Sequence, residues 1–136
     1  MTDQHDHFVV SAVDWQTIVD ALHEGVAVVD TRGRFIASNR AAAAVIGRTP
    51  RDVVGRTAPE LRLSLVAEDG SEVAPEEFPS AVARRTGMHV HERVIGVRNA
   101  DGERHWYAVS ATPLDELARP AAVVLTFLDV SARRDY

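Results

Sequence analysis

His89 and His91 stand two residues apart at the start of a strand-like run, so both rings project to one face, where they could share a metal ion or a carboxylate. No clear third ligand accompanies them, and solvated strand histidines are the commoner use of such a pair, so no metal site is expected. A serine nucleophile needs a histidine and an acid converging on it. Ser38, Ser64, Ser80 and Ser110 occur without the glycine pattern of a nucleophile elbow. Glu76 and Glu77 are adjacent, so on a helix their carboxylates point in different directions and read as first-turn partners of the helix dipole. The sequence has no cysteine, and all 15 basic residues are arginine. Disulfides, thiolate metal sites, cysteine nucleophiles, Schiff-base lysines and a phosphate-loop lysine are thereby excluded. No convergent acid–base set remains, so no catalytic residue is assigned and a small α+β enzyme is only a remote alternative.

The elements that must position these side chains follow from periodicity. Residues 1–13 have no clear period and are expected to fray. Trp15, Ile18, Val19 and Leu22 fall at i, i+3, i+4 and i+7, which predicts an amphipathic helix over 14–24, capped by Asp14 and ended by Gly25. Residues 26–30 and 35–38 read as a hairpin whose Gly33 supplies a positive φ. Asn39 caps a helix running to Ile46, with Gly47 as its exit, and Thr49-Pro50 opens a further helical turn. The stretch from Gly55 to Ala74 has little rhythm beyond Leu61, Leu63 and Leu65, and is expected to be a loop or mobile segment. Residues 75–86 read as one helix leaving at Gly87, with Arg84 and Arg85 in its last turn. Three strands follow, at 89–98, 103–112 and 121–129. A single antiparallel sheet of five strands with helices on one face, an α+β fold, satisfies this order.

At 136 residues, with 46% apolar and 26% charged side chains, the chain matches one globular unit able to bury a real core. Its 15 basic and 20 acidic residues leave a formal charge of −5, the wrong sign for a phosphate backbone, so no nucleic-acid partner is expected. No apolar run reaches membrane-helix length and the first ten residues lack the order of a secretory signal, so a cytoplasmic setting with no membrane partner is expected.

From about Leu22 to Arg134 these residues resemble a PAS domain, a sensory module of bacterial signalling proteins. The resemblance rests on Gly25-Val-Ala-Val-Val-Asp30 followed by Gly33 and Asn39, on Val45-Ile-Gly47 and on Arg51-Asp-Val-Val-Gly55. It continues through Ala81-Val-Ala-Arg-Arg-Thr-Gly87, Asp101-Gly-Glu103 before Trp106, Ser110-Ala-Thr-Pro113, and the closing Asp129-Val-Ser131. It implies a twisted five-stranded antiparallel sheet in order 2-1-5-4-3, a PAS core over 25–130, and a linker beginning at 131–136 that leads to an output domain. The stretch from Glu68 to Pro79 is similar to the subtype found upstream of histidine kinases, diguanylate cyclases and serine phosphatases.

Such modules hold a ligand on the sheet face beneath the helices, and period-two alternation selects the candidates. Ala27 and Val29 on the first strand, Ile95 and Val97, then Tyr107, Val109 and Ala111, then Val123, Leu125 and Phe127 would share that face. Phe78 and Val82 would cover it from the helix. The alternative is that these side chains pack as a filled core. The cofactor stays unknown, with a small organic ligand as one possibility. Haem-binding relatives use a histidine on the long helix, and none occurs between Glu72 and Thr86; light-sensing relatives form a flavin adduct with a cysteine this chain lacks. Trp15, Ile18, Val19 and Leu22 are the candidate homodimer interface, because in this family the helix before the first strand packs on the outer sheet face or on a second copy. The expected function is a signal-sensing module that binds a small ligand, dimerises, or both, to regulate an output domain. The competing reading is a pure protein-interaction module with a filled core.

Overall fold

Pairing begins where Gly25 lets the first strand run close beneath a helix. The computed structural model describes residues 17–18, 21–98, 103–114 and 122–131. In strand β1 (Gly25–Val29) Gly25, Ala27 and Val29 are buried and Val26 and Val28 half-buried, the two-residue period of a strand with one core face. A turn leads into β2 (Phe35–Ser38), which pairs antiparallel with β1. In that turn the Asp30 carboxylate accepts hydrogen bonds from Arg32 N at 2.8 Å and Arg34 N at 3.0 Å, while Gly33 takes φ 81°. An aspartate that bonds its own backbone and a glycine free of Cβ strain are what a reversal this tight requires.

Asn39 then ends β2 and starts helix α1 (Arg40–Val45). Its Oδ1 accepts from Ala42 N and from Val26 N, both at 2.9 Å, and its Nδ2 donates to Glu24 O at 3.0 Å, so one buried amide caps the helix and fixes the start of β1. The alanine run of α1 lets the helix lie directly on the strand: a Cβ placed on Gly25 would fall 2.9 Å from Ala42 Cα. Helix α2 (Pro50–Val53) starts with a capping box between Thr49 and Asp52.

The segment after α2, expected to be aperiodic, is tied at several points. Gly55 N donates to Phe35 O at 2.7 Å and Phe35 N to Arg56 O at 2.9 Å. Thr57 and Glu60 exchange side-chain to backbone hydrogen bonds. Residues Leu65–Val66 form a short strand, β3, paired with Val97 and Gly96. A two-residue strand has no alternation to detect, which is why periodicity misses it.

The helix expected over 75–86 is broken. Pro75–Glu77 is a 3-10 turn, Phe78 is extended at φ −60° and ψ 143°, and helix α3 covers Pro79–Thr86. Steric conflict between a proline ring and the preceding residue disfavours the helical region for Phe78, so the single helix divides there. Glu76 and Glu77 therefore sit in the 3-10 turn rather than in the first turn of α3. Near the N-terminus, Thr17 and Ile18 are helical and Ala21 N reaches back to both carbonyls, but residues 21–24 are not helical, so the helix expected to run to Glu24 has ended by Ala21 and leaves Leu22 outside it. Asp14, Trp15 and Val19 lie outside the described residues, as do residues 99–102 and 115–121.

Strands β4 (Val90–Arg98), β5 (Arg104–Leu114) and β6 (Ala122–Asp129) complete an antiparallel sheet of order β2-β1-β6-β5-β4-β3. Its five longer strands keep the expected order, and β3 adds a sixth at the edge. The register sets Ala27 beside Leu125 and Leu125 beside Ala111, and likewise Gly25 beside Phe127 and Phe127 beside Val109. These inner rows, with Val45 of α1, Val53 of α2 and Ala83 of α3, form the main core. Burying a side chain of valine or leucine size stabilises by roughly 1.5–3 kcal/mol, so this core carries the fold. Trp106, Ala108 and Val130 form a smaller cluster on the other face of the sheet. There Trp106 N donates to Ser131 Oγ at 3.0 Å, and Ser131 N to Asp129 Oδ1 at 2.9 Å, fastening the end of β6 to β5.

Candidate ligand-binding site

Between the inner sheet face and the helices lies a cavity of about 60 Å³. The sheet contributes Ala27, Ile95, Val97, Val109, Leu125 and Phe127, and Phe78 closes it from above. These seven of the expected positions come together. Alternation finds the sheet members because it reports which face a strand residue occupies. Val29, Tyr107, Ala111 and Val123 are buried in the same core but lie off the cavity wall. Val82, on α3, is half-buried and is not in the lining.

Helical and loop positions complete the wall. Ala42 and Val45 come from α1, Ile46 from its C-cap and Val53 from α2. Ala58, Leu63 and Leu65 come from the segment expected to be loop. Phe35, Ser38, Pro79 and Ser80 line it too. Leu63 and Leu65 carried a usable signal, a leucine every second residue in an otherwise polar stretch. Ser38 and Ser80 carried none.

The cavity is apolar apart from those two hydroxyls. Ser38 is buried and donates to Asn39 O at 3.0 Å. Ser80, half-buried at the start of α3, has no hydrogen-bond partner among the described residues, so its hydroxyl is available to an occupant. A water needs roughly 10–15 Å³ of such space, so the cavity has room for about four water-sized occupants or a short aliphatic chain. No histidine or carboxylate lines it, and what the wall offers is shape, dispersion and one free hydroxyl.

The other residues with chemistry-bearing side chains lie elsewhere. The His89 and His91 rings stack with centroids 4.1 Å apart on an exposed strand end. Among the described residues no group of three or more histidine, aspartate or glutamate side chains is placed to hold a metal. The perturbed carboxylates belong to turns and, for Asp52, to the start of α2. A hydrogen bond from Arg34 N holds the Asp30 carboxyl below its ordinary value, and the Thr49 hydroxyl does the same for Asp52. Thr57 N lowers Glu60 and the Ser71 hydroxyl lowers Asp69. These are structural uses of charge. Among the described residues no helix is long and apolar enough to cross a membrane.

Comparison with known proteins agrees with this architecture. No curated protein matches the chain. The PAS domain of the nitrogen regulation protein NR(II) from Vibrio parahaemolyticus superposes with a TM-score of 0.62 at 10% identity, covering 84% of this chain and 95% of that one. The PAS domain of an HTR-like protein from Haloarcula marismortui gives 0.63 at 14% identity, covering 95% and 99%. VqmA of Vibrio cholerae gives 0.66 at 18% identity over 86% of this chain, which spans only 50% of VqmA. At such identities these structures share the fold alone. The family profile described as the PAS fold matches residues 19–135. With that match spanning most of its length, and with the sheet order and helix placement described above, the chain belongs to the PAS-fold family.

Proposed function

We propose that the chain is a cytoplasmic sensory module of bacterial signal transduction that takes a small, mainly apolar ligand in the cavity beneath its helices and has no catalysis of its own. The observation that carries this is the cavity itself, walled jointly by the sheet, all three helices α1 to α3 and the 58–65 segment. An occupant there touches every layer of the fold at once. A ligand shifts a conformational equilibrium only as far as it prefers one state, and an occupant that contacts sheet and helices together can distinguish two arrangements of them. The reading is supported by VqmA, which has been solved bound to DPO. The output would be an attached or partner domain such as a histidine kinase, diguanylate cyclase or serine phosphatase. The charge of −5 supports a partner other than nucleic acid or an anionic membrane surface.

Native mass spectrometry of the purified protein, followed by denaturing extraction, tests this. Excess mass released on denaturation is expected. The proposal fails if the protein carries no extra mass and a broad small-molecule screen leaves the amide resonances of Ile95, Val109 and Leu125 unmoved.

A second reading, dimerisation through the N-terminal helix, is favoured by a specific surface. On the outer sheet face Ile36 and Leu128 are exposed, and Ile18 and Leu22 are also exposed, 47% and 45% accessible. Trp15, Ile18, Val19 and Leu22 of one copy would cover such a face on another. Light scattering should report a dimer that becomes a folded monomer when Trp15 and Leu22 are replaced by polar residues; an unchanged mass would end this reading.

A further inference from the structure

Above the cavity the surface opens into a cleft of about 420 Å³. The two spaces share Ala58, Phe78 and Ser80, so they adjoin at these three residues. Three arginines line the cleft: Arg32 from the β1–β2 turn, and Arg84 and Arg85 from the last turn of α3. Their circumstances differ. Arg85 is committed, donating to Glu76 O at 2.9 Å and pairing with Glu77 at 3.5 Å. Arg32 is exposed and lies near the Asp30 carboxylate, whose acidity it helps raise.

Arg84 is half-buried and has no hydrogen-bond or ion-pair partner among the described residues. Its guanidinium lies over Gly33, where a Cβ would fall 2.7 Å from Nη1. A cation in the last turn complements the helix dipole. That role does not account for a guanidinium extended across to a glycine on another element, because the last carbonyls are not its partners. A partly desolvated guanidinium left unpaired costs stability, and a carboxylate matches its planar fork with two parallel hydrogen bonds. Glu76 is the only acidic side chain in the cleft lining, and the guanidiniums there outnumber it.

We infer that the cleft and cavity form one amphipathic site whose ligand is a small monocarboxylate with a short aliphatic tail, the tail in the cavity and the carboxylate on Arg84. This rests on the ligand-binding reading above and specifies its chemistry. The cavity's 60 Å³ suits a short tail of a few carbons. The Ser80 hydroxyl, at the junction of the two spaces, would add a further hydrogen bond to one of the carboxylate oxygens. Gly33 keeps the floor of the turn low enough for Arg84 to cross it.

Pentanoate, 1-pentanol and acetate titrated into the intact protein, followed by amide chemical shifts, separate head from tail. Pentanoate should move the resonances of Ile95, Val109 and Leu125 and bind at least tenfold more tightly than either 1-pentanol or acetate. Arg84→Gln should reduce pentanoate affinity at least tenfold and leave 1-pentanol unchanged, and Arg84→Lys should restore part of the loss. If 1-pentanol matches pentanoate, or Arg84→Gln leaves pentanoate affinity unchanged, the carboxylate assignment is overturned while the cavity reading survives. If neither compound moves the lining resonances, the short-tail site is overturned with it.

Discussion

Val26 N donates to Asn39 Oδ1 at 2.9 Å across thirteen positions of sequence, while the same oxygen caps α1 through Ala42 N. Replacing Asn39 by alanine removes the cap and strands a strand amide and a helix amide without their acceptor. The expected cost is about 2–3 kcal/mol in urea denaturation followed by circular dichroism. A loss under about 0.5 kcal/mol would show that water replaces the amide without penalty.

Gly25→Ala tests the close approach of α1. Its Cβ would meet Ala42 Cα at 2.9 Å, a backbone atom that cannot swing aside. Overpacking of this kind costs about 1–3 kcal/mol. The same substitution at Gly55, where nothing lies within 4 Å, tests backbone strain alone at φ 94°. If Gly25→Ala is neutral, the helix can shift outward freely.

Val109→Leu adds volume toward the cavity. Filling it should raise stability by about 0.5–2 kcal/mol and remove binding of any molecule that uses the space. A destabilised variant would mean that the cavity is narrower at Val109 than its overall volume implies.

Acid should weaken the fold through its turns and the α2 capping box. Asp30, Asp52 and Asp69 are each lowered from an ordinary 3.8, and Glu60 from 4.5. A carboxylate lowered in the folded state stabilises fully above its unfolded value and loses that contribution as pH falls through the folded one. The contribution of these four carboxylates should therefore be complete above about pH 5 and decline below about pH 4. Asp30→Asn should lessen the decline; an identical acid profile in that variant would remove the turn from the account.

Much of this architecture was legible in the sequence because strands and caps leave local marks. Alternation along 121–129 fixes which residues face inward, and Asn39 ahead of an alanine run marks a helix start. The cavity was only half legible. Its floor follows strand periodicity, whereas its roof depends on where Phe78 turns extended and on how the 55–66 segment is tied to Phe35 and to β4. Leu65 reaches the wall because its two-residue strand pairs with β4, a partner that the leucine spacing does not name. The Arg84–Gly33 contact joins residues about fifty positions apart, and nothing local to either announces the other.

The fastening of Ser131 to Trp106 gives the protein an optical reporter of its own. Only two tryptophans occur, Trp15 and Trp106. In a Trp15→Phe protein every indole photon comes from a ring that is 6% accessible, whose backbone amide is held by the residue where the chain leaves β6. Its emission maximum should shift to longer wavelength when that departure point loosens from β5. Motion of the exit then becomes measurable in an unlabelled sample, and adding a ligand to it tests whether the cavity on the opposite face is coupled to that motion.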